Sequence, residues 1–265
     1  MTDRRAGRIS FDAVAEQYGA ARPEYPPELF DTVVEITGIT TDSRLLEMGP
    51  GTGIATRVMA ERGFHITAIE LGDHMAAVAR RNLAEFPNVE IVVGDFETWD
   101  PGERAPFDLI YAATAFHWVD PARRYTRVAE LVRPGGHLAI WTATHVFPEP
   151  GDPFFYEIQD VYDTLGDALP EGALWNKPGE LPDEWGDELR ASGVFDDVQY
   201  HQFAWVVDYD VEAYIALLDS FSVNLLRPPD EKAYLYGEIR RRVAARDDKL
   251  LHRGWGAPLH IARLK

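Results

Sequence analysis

Glu47, Gly49, Gly51 and Gly53 set an acid and three glycines at alternate positions in Glu47-Met48-Gly49-Pro50-Gly51-Thr52-Gly53. Glycine has no Cβ, so such a turn lets a ligand lie against the backbone. Three more reactive groups follow at wider spacing: Glu70, Asp95 and His117. Carboxylates accept hydrogen bonds from hydroxyl and amino groups, and an imidazole can take up a proton near neutral pH. The dinucleotide fingerprint places a third glycine three residues after the second; here that position holds Ile54. A carboxylate at Glu47 would repel a pyrophosphate and would suit a ligand carrying an ammonium and a sulfonium.

Such groups need a scaffold that sets them side by side. Arg44 to Met48 is a short apolar run, and a helical pattern begins at Ile54. A strand, a glycine turn and a helix start therefore follow one another directly. Further strands are predicted over 64–71, 89–93, 107–113 and 137–143, with helices over 54–61, 74–86 and 121–132 between them. That alternation predicts an α/β fold with a doubly wound parallel sheet. The continuous apolar runs fit strands covered on both faces. Ligands of such sheets bind at the carboxyl ends of the strands, where the turn, Glu70, Asp95 and His117 all fall. Helices over 11–18 and 28–37 precede the first strand. After Thr144 the rhythm breaks into a helix over 154–165, a strand over 197–207, helices over 211–220 and 230–245, and a last strand over 258–264. One domain is expected over 1–265. Its cofactor-binding core is 10–143, and 144–196 and 208–257 are insertions that form a helical cap on the acceptor side.

Composition removes several classes. The net charge is -18, from 44 acidic and 26 basic residues. Nucleic acids are bound largely through Lys and Arg, so neither a nucleic acid nor an anionic membrane surface is expected as a partner. Arg240, Arg241, Arg242 and Arg246 form the one candidate basic face, read more simply as a solvated helix surface. There is no cysteine, which excludes disulfides and thiolate chemistry. The polar start, 1–8, has no apolar core behind it, and no run is long enough to span a membrane. The expected location is cytoplasmic.

The chain resembles a class I S-adenosylmethionine-dependent methyltransferase of the small-molecule type, close to the methyltransferase type 11 and trans-aconitate methyltransferase-like groups. The resemblance rests on four elements in order. They are the Glu47-to-Gly53 turn, Glu70, Gly94-Asp95-Phe96, and Phe107-Asp108-Leu109-Ile110 leading to Ala115-Phe116-His117-Trp118-Val119-Asp120, followed by Leu131-x-Arg133-Pro134-Gly135-Gly136. It covers 10–143 well and the remainder in outline. It implies a Rossmann-like, seven-stranded, mostly parallel sheet whose last strand runs antiparallel.

The same resemblance implies the roles. Gly49, Gly51, Thr52 and Gly53 would cradle the methionyl part of S-adenosylmethionine, and Glu47 would hold its ammonium. Glu70 would accept the ribose hydroxyls beside Leu71. Asp95 would accept the adenine amino group while Phe96 packs on the ring, and Ala112 with Ala113 would leave room beside the sulfonium. Tyr18, Arg22 and Tyr25 are read either as a lid over the cofactor or as part of an ordinary amino-terminal helix packed on the sheet. His117 is the candidate base, with a pocket wall as the competing role. Phe147, Phe154, Phe155, Tyr156, Trp175 and Trp185 are read either as an apolar acceptor pocket or as core. The acceptor is expected to be a small molecule methylated on a hydroxyl or carboxylate oxygen. A nicotinamide-dependent oxidoreductase and a non-catalytic S-adenosylmethionine-binding protein are the alternatives. Phosphate-loop, nucleophile-elbow and paired-histidine zinc motifs are absent from the sequence.

Overall fold

The computed structural model describes residues 22–104, 106–167, 175–225 and 227–265 of the chain. The helix expected over 11–18, with Tyr18, lies outside the described residues. Helix α1 (Pro27–Thr37) starts on a proline, whose missing N–H costs nothing at that position. It ends at Gly38, which takes the left-handed conformation (φ 64°) and donates to the Val34 carbonyl. Its apolar stripe, Leu29, Phe30 and Val33, is buried.

Among the described residues eight strands follow: β1 (Arg44–Met48), β2 (His65–Glu70), β3 (Val89–Val93), β4 (Phe107–Ala113), β5 (Val132–Trp141), β6 (Thr144–His145), β7 (Phe195–Tyr209) and β8 (Leu251–Leu264). They form one sheet in the order β3-β2-β1-β4-β5-β8, with β6 and β7 also pairing with β8. The first five strands pair in parallel, and β8 runs antiparallel to β5. All seven expected strands are present. The eighth, β6, is a two-residue continuation along β8 past the end of β5.

Side-chain alternation builds a core on each face of the sheet. Leu45, Leu109, Tyr111, Ala139 and Trp141 pack on one face with α1 and with α2 (Ile54–Glu61). Leu46, Ile110, Ala112, Leu138 and Ile140 pack on the other with α4 (Arg124–Leu131). Between α2 and α4, α3 (Asp73–Asn82) lies against β2 and β3.

Two strand starts differ most from expectation, for local reasons. β8 begins at Leu251 rather than 258. Gly254 and Gly256 read as breakers, yet they are where another segment crosses the strand. A Cβ on Gly254 would lie 2.4 Å from the Val146 carbonyl oxygen, and one on Gly256 would lie 2.5 Å from Val146 Cγ1. β5 begins at Val132 because Val132 already pairs with Phe107. The register then shifts, and Leu109 pairs with His137 past the Arg133-to-Gly136 turn.

The cap has its own core. It is built by α5 (Phe154–Glu157), α6 (Gln159–Thr164), α8 (Val211–Asp219) and α10 (Pro229–Ala244), which pack around the ends of β7 and β8. The single helix expected over 154–165 is two short helices that meet at Ile158. Helices α7 (Gly186–Ala191) and α9 (Ser222–Leu225) were not expected. The candidate basic face is neutralised within the cap. Arg240 pairs with Glu212 at 2.7 Å, Arg241 with Glu238 at 2.6 Å, Arg242 with Asp160 at 2.7 Å and Arg246 with Asp152 at 2.7 Å.

Candidate functional site

The carboxyl ends of β1, β2 and β4 border a cavity of about 420 Å³. The glycine turn forms its floor. Gly49 has φ 65° and donates to the Ile69 carbonyl at 2.9 Å. A Cβ there would meet Ala115 Cβ at 2.8 Å, so the turn and the loop after β4 fit only with glycine. Gly51 has φ 59°, and nothing lies within 4 Å of where its Cβ would be. That space opens on the cavity, so Gly51 is the position where backbone can meet a ligand. Gly53 has another use. It does not line the cavity, and a Cβ on it would lie 2.8 Å from Leu83 Cδ1, so it seats α2.

Two acids stand at the floor, and their environments set them apart. Glu70 is partly buried and held by backbone: Gly51 N–H donates to Oε2 at 3.0 Å, and Gly72 N–H donates to Oε1 at 2.9 Å. Glu47 is wholly buried. The Tyr111 hydroxyl donates to its Oε2 at 2.9 Å, while Oε1 has no hydrogen-bond partner among the described residues. Burial pushes the Glu47 carboxyl up to about 7. The nearby Thr56 and Tyr111 hydroxyls partly oppose this, and the Glu70 charge adds to it. Thr56 favours the charged form without completing a bond, and its Oγ1, like Thr52 Oγ1, has no partner. An orphaned oxygen on a fully buried carboxylate, facing an open glycine turn, fits a ligand that brings a cation with N–H donors. Tyr111→Phe removes the one hydrogen bond that Glu47 accepts. We expect it to cost about 1–3 kcal/mol of stability at about pH 8, and less at about pH 5 where the carboxyl is neutral. Urea denaturation at the two pH values checks this.

Other expected site residues divide. Thr52, Leu71, Phe96 and Arg22 line the cavity. Asp95 does not. Its Oδ1 accepts from Glu97 N–H at 3.0 Å, which shapes the turn after β3. Ala112 is a correction: it is fully buried in the core shared with α4, while Ala113, expected beside it, lines the cavity together with Thr114. Both faces of β4 are buried, so no polar alternation marks which alanine faces the ligand.

The far wall is Tyr25, Thr114, Ala143, His117, Trp118 and Phe221. Thr114, Ala143 and Phe221 had not been singled out. Thr114 has φ 56°, which a β-branched residue rarely adopts. It is held there by its N–H to the Trp141 carbonyl at 2.7 Å and by Tyr25 Oη···Oγ1 at 2.8 Å. His117 lies on a single helical turn, Phe116–Trp118, with its ring 4.8 Å from that of Trp118. Its side chain is exposed at the cavity mouth. Desolvation first, and the Arg124 charge second, hold its pKa below the usual 6.5, so the imidazole is neutral at neutral pH.

Four of the six candidate pocket aromatics, Phe147, Phe154, Phe155 and Trp175, belong to the cap core. Trp185 packs beside Phe116, and Tyr156 is exposed. None of the six lines the cavity. Among the described residues no helix is long and apolar enough to cross a membrane, and no His, Cys, Asp and Glu side chains group to hold a metal.

A family model for a methyltransferase domain matches residues 46–140. An uncharacterized methyltransferase of Mycobacterium tuberculosis is 28% identical, over 91% of this chain and 88% of that protein. A ubiquinone biosynthesis O-methyltransferase of Aeromonas salmonicida is 30% identical, over 50% of this chain and 59% of its own length. The solved structure of a proposed type II methyltransferase from Anaeromyxobacter dehalogenans shares the fold. Its TM-score is 0.60 at 21% identity, over 92% of this chain and 97% of that one.

Proposed function

Because this chain is a class I S-adenosylmethionine-dependent methyltransferase, we propose that it methylates an oxygen atom of a small organic acceptor. Bound at the glycine turn, S-adenosylmethionine supplies an electrophilic methyl group. The chain's own residues do the rest. The orphaned Oε1 of Glu47 receives the ammonium, and backbone at Gly49 and Gly51 lies along the methionyl chain. Glu70, fixed by two backbone N–H groups, accepts from the ribose, beside Leu71. Phe96 packs on the adenine, and Asp95 acts from the turn behind it. Arg22 and Tyr25 cover the site from the amino-terminal side and keep water out.

The observation that carries the oxygen assignment is His117. It is a neutral imidazole on the loop after β4, where an acceptor would meet the methyl group, and it can take the proton a hydroxyl must lose. A carboxylate oxygen needs no base, and His117 then serves as a wall. The O-methyltransferase among the relatives supports the same atom. Two further facts support a small acceptor: the net charge of -18, and the pairing of each arginine on the one candidate basic face with a carboxylate. A nicotinamide dinucleotide is disfavoured by Ile54 and by two acids at the turn.

The test is methyl-labelled S-adenosylmethionine offered with a panel of small hydroxy and carboxylic acids and their amine counterparts. Label on oxygen is expected, and label on nitrogen alone overturns the proposal. For a hydroxyl acceptor, His117→Gln should lower kcat about a hundredfold with cofactor affinity unchanged. The wild-type rate should be flat above about pH 6.5 and fall below it, because the base must be neutral and its pKa is lowered from 6.5. An unchanged kcat in the variant removes the imidazole from the chemistry.

A further inference from the structure

Three arginines are buried among the described residues: Arg124, Arg127 and Arg253. Two of them have a carboxylate. Arg124 lies 3.7 Å from Glu188, and Arg127 lies 2.7 Å from Glu130. Arg253 is 8% exposed, and no described carboxylate lies within ion-pair distance of it. Its Nη1 donates to the Tyr214 hydroxyl at 3.3 Å, and its Nε has no partner. Aromatic rings surround it: Trp255 at 4.7 Å, and Phe155, Tyr214 and Phe221 at 5.9 Å. The rings attract the cation but offer its N–H groups no acceptor, and a buried cation without one is costly. The guanidinium is therefore set up for an anion.

A second orphan lies beside it. His145 Nε2 is buried without a partner, and its ring is 4.9 Å from that of Phe155, which Arg253 also touches. Burial, and then the Arg253 charge, push the His145 pKa down to about 3, so it is an uncharged donor or acceptor. Neither group lines the cavity, but each neighbours a residue that does. His145 follows two residues after Ala143, which lines it. Phe221 also lines it, and its ring carries Arg22 at 4.2 Å as well as Arg253.

We propose that the acceptor is an organic acid whose carboxylate reaches past Phe221 to Arg253, with His145 as its second hydrogen-bond partner. This rests on the methyltransferase reading of the cavity and names the acceptor class for it. One guanidinium and one neutral imidazole match a single negative charge. The rings of Phe155 and Phe221 suit an apolar body behind it.

The test uses the full chain saturated with S-adenosylhomocysteine and two matched pairs of probes, benzoate with benzamide and hexanoate with hexanamide. In at least one pair the carboxylate should bind about tenfold tighter than its amide. Arg253→Met should erase that preference while S-adenosylhomocysteine affinity stays within about twofold of wild type, which reports an intact fold. Equal affinities within both pairs overturn the proposal on wild-type protein alone, whatever the variant does. Phenyl phosphate binding tighter than benzoate overturns the carboxylate assignment. If no acid receives label but the carboxylate preference stands, the oxygen-methylation reading fails and the Arg253 site does not.

Discussion

Gly51→Asp should abolish cofactor binding and leave the protein folded. The position has φ 59°, and its missing Cβ points where nothing lies within 4 Å. Aspartate tolerates the left-handed conformation better than most residues, at a folding cost of about 1 kcal/mol. The new carboxylate would stand in the cavity that Glu47 and Glu70 also line, on the path proposed for the methionyl chain. Affinity for S-adenosylhomocysteine should fall at least about a hundredfold, or about 2.7 kcal/mol. The neighbouring glycines are a control for this argument. A Cβ on Gly49 or Gly53 strikes protein, Ala115 or Leu83, at 2.8 Å. Alanine at either position should lower stability first, whereas Gly51→Asp should lower affinity first. Calorimetric titration beside thermal melting separates the two. Unchanged affinity in Gly51→Asp would place the cofactor elsewhere.

Glu47→Gln should weaken the cofactor and strengthen the empty protein. In the empty site the carboxyl titrates at about 7 against an ordinary value of 4.5. Between those values the folded protein holds a proton that the unfolded chain has released. Stability of the empty protein therefore falls as pH rises from about 4.5 to about 7, by roughly 3 kcal/mol in all. A ligand ammonium reverses the preference, because it favours the carboxylate. Affinity should rise with pH toward a plateau above about 7, by up to about tenfold per pH unit below it. Glutamine removes the titration and the charge. At about pH 8 the empty variant should melt higher than wild type, bind S-adenosylhomocysteine about ten- to a hundredfold more weakly, and lose the pH dependence of binding. A variant as tight as wild type with the same pH slope would contradict the role given to Glu47.

These two positions were readable because each is tied to a strand end. An acid closing an apolar run, and glycines opening a helix, are local patterns, and the sheet topology then brings them beside Glu70. Ala112 was named along with Ala113 because β4 is buried on both faces, and only the three-dimensional register shows that Ala113 alone of the two lines the cavity. The early half of β8 was missed because Gly254 and Gly256 look like breaks when they are crossings. Arg253 and Phe221 lie far along the chain from the turn, and the packing of the cap places them, not any local period. The aromatics after 144 carried no signal either way, since a ring in a core and a ring in a pocket read alike. In the cap the informative signs were polar orphans, Arg253 Nε and His145 Nε2, which only a structure exposes.

The most direct measurement is a calorimetric titration of S-adenosylhomocysteine into the wild-type protein at about pH 6 and about pH 8. Saturable binding at one site per chain, tighter at the higher pH because Glu47 titrates at about 7, is the expected result. No saturable heat at either pH, from protein shown to be folded, would contradict the assignment of this cavity to S-adenosylmethionine.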